Sequence, residues 1–380
     1  MTYRAGVIGT GDPTQEDGYA MAYRHARGYE RIDDCEVVAC ADIVSENATA
    51  FAQTFDIDTS AVYEDYEEML TAERLDIVSV CTPPKTHAAI VTDCARSEAV
   101  DAIHCEKPMA ATWKECRDMV ETCDRHGVQL TFNHQRRFSA PYRKAKAVLE
   151  SGRIGELRRI EVGGPDLFDY GTHLFDLCGY LTDQTPVEWV LAQIDYEDAD
   201  RLYGVYQESE SLAKWRYTSG VDGLASTGDR GLFRCHLRVV GESGAIEIGH
   251  EDAPPLRVRD DTSGWEAVET GRDGIWRAQP NPLDRLVDRL PVGPERLFSD
   301  PTYVDRAIED VVIAARDGHE AELSAENALQ TTEIIFGGWE SARCGGRVEL
   351  PLEIDDNPLE WMIEDGASSD PSSTRVEPSR

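Results

Sequence analysis

Residues 3–133 alternate short apolar runs with helix-length stretches, and few folds accommodate that pattern. Strands are expected over 3–8, 35–41, 76–81, 101–105 and 128–132. Helices are expected between them, over 18–29, 45–55, 65–71, 86–97 and 112–125. Ser45 reads as an N-cap ahead of an apolar stripe at Ala48, Phe51, Ala52 and Phe55. Thr112 and Glu115 read as a capping box. Strands separated by helices of this length pair in parallel through right-handed crossovers.

After about residue 140 the pattern changes. A helix over 141–151, a strand over 156–162 and a helix over 170–180 lead into apolar runs at 189–194, 211–217, 233–240 and 245–248. Turn residues separate these runs and little helical period is present, so a large, mostly antiparallel sheet is expected. Two closing helices follow, over 303–316 and 324–343, and the polar, proline-bearing stretch 354–380 reads as a disordered tail. The fold class is therefore α/β. A parallel-sheet domain spans 1–133, and an α+β domain for substrate binding and oligomerisation spans 134–353.

Bulk properties narrow the function. No run of 18 or more apolar residues occurs, so no membrane span is expected. The chain runs from Met1 straight into a strand, which reads as a cytoplasmic protein without a secretory leader. Ten cysteines are scattered without zinc spacing, so they read as buried thiols in a reducing compartment and no metal site is expected. The formal charge of −34, from 72 acidic and 38 basic residues, repels nucleic acid and anionic membranes. The acids are spread along the chain and arginine displaces lysine, a pattern that fits a protein made for high salt. There the Debye length falls to about 3 Å at 1 M and self-repulsion is screened. An acidic protein of ordinary surroundings is the alternative.

Gly9-Thr10-Gly11 follows the first strand directly. Gly9 suits a tight turn, and Gly11 lets backbone approach a pyrophosphate at a helix N-terminus. The loop before Gly18 is longer than usual, and Thr14 stands where a third glycine is expected. Asp42 ends the second strand, where a carboxylate binds both ribose hydroxyls and repels a 2′-phosphate. Ile43, not arginine, follows it. The reading is NAD, with NADP possible. Thr82 and Pro83 end the next strand beside the cofactor.

Two further stretches carry chemistry. Glu106-Lys107-Pro108 ends the strand over 101–105, and ligands bind at the carboxyl ends of parallel strands. Lysine is scarce here and its compact ammonium shifts pKa readily. A strand terminator with a surface ion pair accounts for the tripeptide equally well when it is taken alone. In Asp169-Tyr170-Gly171-Thr172-His173-Leu174-Phe175-Asp176, a helix beginning near Asp169 puts Asp169, His173 and Asp176 on one face. An imidazole between carboxylates suits proton transfer near neutral pH. An N-cap aspartate with a core histidine is the structural alternative.

In this order, the motifs resemble the Gfo/Idh/MocA oxidoreductase family, which includes glucose–fructose oxidoreductase and inositol dehydrogenase. The likeness extends through Leu323-Ser324-Ala325-Glu326-Asn327-Ala328 to Val348-Glu349-Leu350-Pro351, and so covers about residues 3–353. It implies a Rossmann domain holding the nicotinamide cofactor through Gly9, Thr10, Gly11, Asp42, Thr82, Pro83, Glu106 and Lys107. It implies hydride transfer between a secondary alcohol of a sugar or polyol and the cofactor. His173 would take the hydroxyl proton, Asp169 would tune His173, and Lys107 would touch the substrate oxygen. Asn133, Arg136 and Asp176 are candidate substrate contacts, although a solvated surface accounts equally well for the arginine. A homodimer or homotetramer through the C-terminal sheet is implied by analogy. Two other functions remain open at this stage: an NAD-retaining glycosidase or lyase acting by transient oxidation, and a regulator that binds cofactor without turnover.

Overall fold

The computed structural model describes residues 2–12, 21–197, 199–271, 274–275 and 301–369. Most of the lengthened glycine loop, 13–20, and the end of the tail, 370–380, lie outside the described residues.

The first half forms a six-stranded parallel sheet. Its strands are β1 (Tyr3–Ile8), β2 (Cys35–Ala41), β3 (Val62–Tyr63), β4 (Ile77–Val80), β5 (Ala102–Cys105) and β6 (Gln129–Phe132), in the order β3-β2-β1-β4-β5-β6. Every residue of β4 and β5 is buried, because helices cover both faces of a parallel sheet. The crossover helices are α1 (Met21–Glu30), α2 (Ser45–Thr54), α3 (Tyr66–Ala72), α4 (Pro84–Arg96) and α5 (Trp113–His126). The strand order reverses between β1 and β4, which opens a crevice at the strands' carboxyl ends. α5 opens on the expected box of Thr112 and Glu115 and closes on left-handed Gly127. Ser45 does not cap α2. Val44 holds that position, and its amide donates to Asp42 Oδ1 at 2.9 Å.

The second half turns through α6 (Ala140–Glu150), β7 (Leu157–Gly164) and α7 (Gly171–Leu181). Then come β8 (Val187–Asp195), β9 (Asp200–Leu202), β10 (Val205–Gln207), β11 (Glu210–Tyr217), β12 (Asp222–Thr227), β13 (Leu237–Gly241), β14 (Gly244–Ile248), β15 (Leu256–Asp260) and β16 (Ser263–Ala267). α8 (Tyr303–Asp317), α9 (Ala325–Cys344), β17 (Val348–Glu349) and α10 (Pro358–Ser369) close the described chain. A nine-stranded sheet runs β16-β15-β14-β13-β7-β12-β11-β8-β17, antiparallel throughout except between β7 and β12. β8 alternates buried and open positions, as a sheet covered on one face requires. α9 packs on β8 and also touches α5 and α7. α8 returns to the first sheet, where Ile308, Val311 and Val312 join a core with Ala5, Tyr29, Ile77 and Ala102.

The expected disordered tail is corrected over its first part. Asn357 Oδ1 accepts the amides of Leu359 and Glu360, its Nδ2 donates to the Ala111 carbonyl, and Leu359 and Met362 are buried. An Asn N-cap and two apolar anchors are enough to order α10, although the surrounding composition is polar.

Candidate active site

The first sheet fixes one wall of a cleft of about 360 Å³ at its carboxyl edge. Thr82, Pro83 and Pro84 end β4, and Glu106 and Lys107 end β5. His87 is buried between these two strand ends, 2.7 Å from the Thr82 carbonyl and 3.0 Å from that of Pro108, so its part is structural.

Glu106 is held from behind. Its Oε1 lies 2.9 Å from His25 Nε2 and accepts from Asn133 Nδ2 at 2.6 Å. Nε2 of His25 faces the carboxylate, and Nδ1 lies 3.0 Å from the Ser79 hydroxyl, whose oxygen also meets Tyr29 Oη at 2.8 Å. Burial alone would raise the pKa of Glu106. The bond to His25 and its charge, then the bond from Asn133 and the charge of Lys107, outweigh it and hold the carboxyl down at about 2. Asn133 is fully buried behind Glu106 and does not reach the cleft, which corrects its assignment as a substrate contact.

Lys107 crosses to the second half of the chain. Its Nζ donates to Asp169 Oδ1 at 2.8 Å and to the Asp169 carbonyl at 3.1 Å. Its ion-pair partner is thus Asp169, while Glu106 touches only its backbone amide, at 3.3 Å.

The opposite wall is the turn into α7. Asp169 does not cap that helix. Asp166 does the equivalent work one turn earlier, with Oδ1 accepting the Tyr170 amide at 2.8 Å and the Gly171 amide at 3.5 Å. Glu208 lies below, accepting the Leu167 amide at 2.6 Å and the Trp339 indole N–H at 2.9 Å. Burial, and after it the charge of Asp166, pushes the Glu208 carboxyl up to about 7.

His173 lines the cleft but is not set between carboxylates. Among the described residues its Nδ1 is buried without a hydrogen-bond partner, and its ring lies edge-on to His134 at 5.8 Å. Burial first, then the positive charges of Arg136 and Lys107, hold its pKa well below the usual imidazole value. Burial and neighbouring cations, not acids, therefore keep it neutral. Asp176 faces away from the cleft, in a buried bidentate pair with Arg137 at 2.6 and 2.7 Å. That pair ties α7 to the 3-10 turn Gln135–Phe138, and it removes Asp176 from the substrate contacts. Arg136 does line the cleft, with its guanidinium 4.4 Å above the Tyr170 ring.

The nucleotide end sits beside this cleft. Gly9 and Gly11 adopt positive φ of 83° and 67°. A Cβ on Gly9 would come within 2.6 Å of the Thr82 side chain, so the turn is packed onto β4. Asp42 Oδ2 accepts the Thr10 hydroxyl at 3.0 Å and the Gly11 amide at 2.9 Å. Together with Val44 these use three of about four acceptor positions on the carboxylate, leaving one for a ribose hydroxyl. The residues fit a dinucleotide. Sequence reasoning missed Arg24, Gln135, Tyr170, Tyr203 and Tyr303, which also line the cleft. Only Tyr170 lay within a stretch already singled out.

Residues 3–134 match an oxidoreductase family with an NAD-binding Rossmann fold, GFO_IDH_MocA. D-apiose dehydrogenase of Paraburkholderia graminis is 36% identical over 351 residues, 86% of either chain. The chain belongs to the Gfo/Idh/MocA family. Myo-inositol 2-dehydrogenase of Thermotoga maritima is 25% identical over 260 residues, 64% of this chain and 74% of its own. Among solved structures, levoglucosan dehydrogenase in complex with NADH and levoglucosan shares the fold, with a TM-score of 0.72 at 20% identity over 93% of this chain and all of that one. As a member of the family the chain is a nicotinamide-dependent oxidoreductase of the sugar and polyol dehydrogenase type, with an NAD-binding Rossmann domain. Among the described residues no helix is long and apolar enough to cross a membrane, and no cluster of His, Cys, Asp and Glu is arranged to hold a metal.

Proposed function

We propose that the protein oxidises a CH–OH group of a sugar or polyol with NAD, and that Lys107, Asp169 and His173 carry the chemistry. The observation that carries this reading is the Lys107–Asp169 contact at 2.8 Å, across a cleft that also holds a buried, neutral His173. When bound, the nicotinamide would accept hydride from the carbinol carbon. The residues Gly9, Thr10, Gly11, Asp42, Thr82, Pro83, Glu106 and Lys107 would hold the dinucleotide. Asp42, followed by Ile43 at 91% exposure and not by arginine, supports NAD over NADP.

His173 takes the hydroxyl proton. Being neutral, it is ready to accept one at ordinary pH, and a positioned base is worth about 10² to 10⁴ in rate. The Lys107 ammonium stabilises charge developing on the substrate oxygen, and Asp169 aims that ammonium across the cleft. Arg136, above Tyr170, contacts substrate hydroxyls or a carboxylate. Residues 1–133 serve as the cofactor domain. Residues 134–353 serve substrate binding and assembly as a dimer or tetramer through the nine-stranded sheet.

The test is NADH formation from NAD with D-apiose, inositols, aldoses and sugar acids, in about molar KCl to screen the acidic surface. Accumulation of NADH with one of these sugars supports the proposal. Binding of NAD without turnover of any of them contradicts it. Acids spread along the chain also support a high-salt setting. The unfolding temperature should then climb between low and about molar KCl, and a flat response would remove that part of the reading.

A further inference from the structure

β9 and β10 form a two-stranded hairpin apart from both main sheets, pairing Leu202 with Val205 across a two-residue turn. Both turn residues have positive φ, 51° at Tyr203 and 85° at Gly204. A turn of this type favours Asn or Gly at its first position, so a tyrosine there works against the local backbone. A strained residue that the turn itself does not favour points to a task of its side chain.

The ring stands at the cleft. Tyr203 is 52% exposed and lines the same cavity as Lys107, Asp169 and His173. The hairpin tip reaches the first domain, where a Cβ on Gly204 would come within 3.2 Å of Lys85 Cδ. Lys85 lies directly after Thr82-Pro83-Pro84, so the tip rests on the cleft's opposite rim. The hairpin is braced from outside. Arg201 stacks over Tyr206 at 4.1 Å and faces Glu360 of α10 at 3.8 Å, while Asn357 anchors α10 to the Ala111 carbonyl.

We infer that Tyr203 is a specificity-determining residue, an aromatic wall that covers the apolar C–H face of a sugar ring in the cleft. The inference rests on the sugar oxidoreductase reading above. Tyrosine suits the part because its ring is apolar and its hydroxyl can bond the sugar rim. The cofactor is served from the first domain by Gly9–Gly11 and Asp42, whereas Tyr203 arrives from the second domain with Asp169 and His173.

The test compares Tyr203→Asn and Tyr203→Phe with the wild type. Asparagine fits the turn better, so the thermal midpoint of that variant should hold or rise. Its kcat/KM for the sugar that the wild type turns over best should fall at least about tenfold, mainly through KM, while phenylalanine retains most activity. NADH affinity, read by fluorescence titration, should stay within about twofold. An unchanged kcat/KM in Tyr203→Asn overturns the inference, as does a loss of NADH affinity in step with activity. Calorimetry of the sugar panel on NADH-loaded protein separates the two levels. If no sugar binds the wild type, the oxidoreductase reading fails and takes this inference with it. If sugar binds the wild type and the asparagine variant equally, only the role of Tyr203 fails.

Discussion

Glu106 and Lys107 are placed by a parallel sheet, whereas Asp169 and His173 are placed by a turn whose amides are gathered onto two buried acids. On the sheet side, the carboxylate is satisfied within its own domain by His25 and Asn133 and stays charged far below neutral pH. On the turn side, burial and the charge of Asp169 raise the pKa of Asp166, burial and the charge of Asp166 raise that of Glu208, and Glu208 is pushed up to about 7. One wall is built to hold a fixed charge. The other carries acids whose protonation depends on pH, and it meets the first through Lys107. The strand end thus provides a fixed, satisfied acid, while the turn brings Asp169 and His173 into the cleft opposite Lys107.

Substitutions can break this contrast, and the largest effect is expected in the chemistry itself. His173→Asn should lower kcat/KM by about 10² to 10⁴ with little change in NADH affinity, as steady-state rates and titration would show. Next comes the sheet wall. Glu106→Gln should destabilise the fold by about 2 to 3 kcal/mol in denaturant titrations, because two buried donors lose a charged acceptor. Asp169→Asn should cost under about 1 kcal/mol of stability, since its pair with Lys107 is partly exposed and screened. Equal costs for the two would erase the distinction between the walls.

The two walls should also respond to pH with opposite signs. Glu106 has a depressed folded pKa, so its contribution is present above its usual 4.5 and is lost as pH falls towards 2. Glu208 has a raised one, so its contribution is present below 4.5 and is lost as pH rises through about 7. Glu208→Gln should therefore flatten the fall in unfolding free energy between pH 4.5 and 7 relative to wild type, whatever fixed cost it adds. A difference between the two proteins that stays constant across that window would contradict the assignment. The smallest effect expected is in the pH–rate profile. Arg136→Met removes the largest charge depressing His173, so the acid limb of kcat/KM should move upward in pH. An unmoved limb would mean that burial alone sets that histidine.

How much of this was legible depended on which force placed each group. Glu106, Lys107, Thr82 and Asp42 sit at strand ends, and a parallel sheet fixes strand ends from the pattern of apolar runs alone. The Asp169–His173 spacing was visible as well, but its partners were not. Helical spacing suggested that Asp169 and Asp176 would flank His173. Instead the chain before α7 turns on Asp166, Asp169 swings to Lys107, and Arg137 claims Asp176. The last two choices are made across 39 to 62 residues of sequence, where no local period reports them. His25 was illegible for the same reason, since nothing in α1 announces a contact with Glu106. The hairpin carrying Tyr203 escaped because its turn lacks the Asn-Gly signature that would mark it.

The central claim is that Lys107 and Asp169 act as one unit joining the two walls. A double-mutant cycle on kcat/KM with Lys107→Met, Asp169→Asn and the pair tests it most directly. The structure predicts that the double variant loses about as much as the worse single variant, because either change alone already dissolves the unit. Losses that simply multiply would show that the two side chains act independently, and would contradict the account.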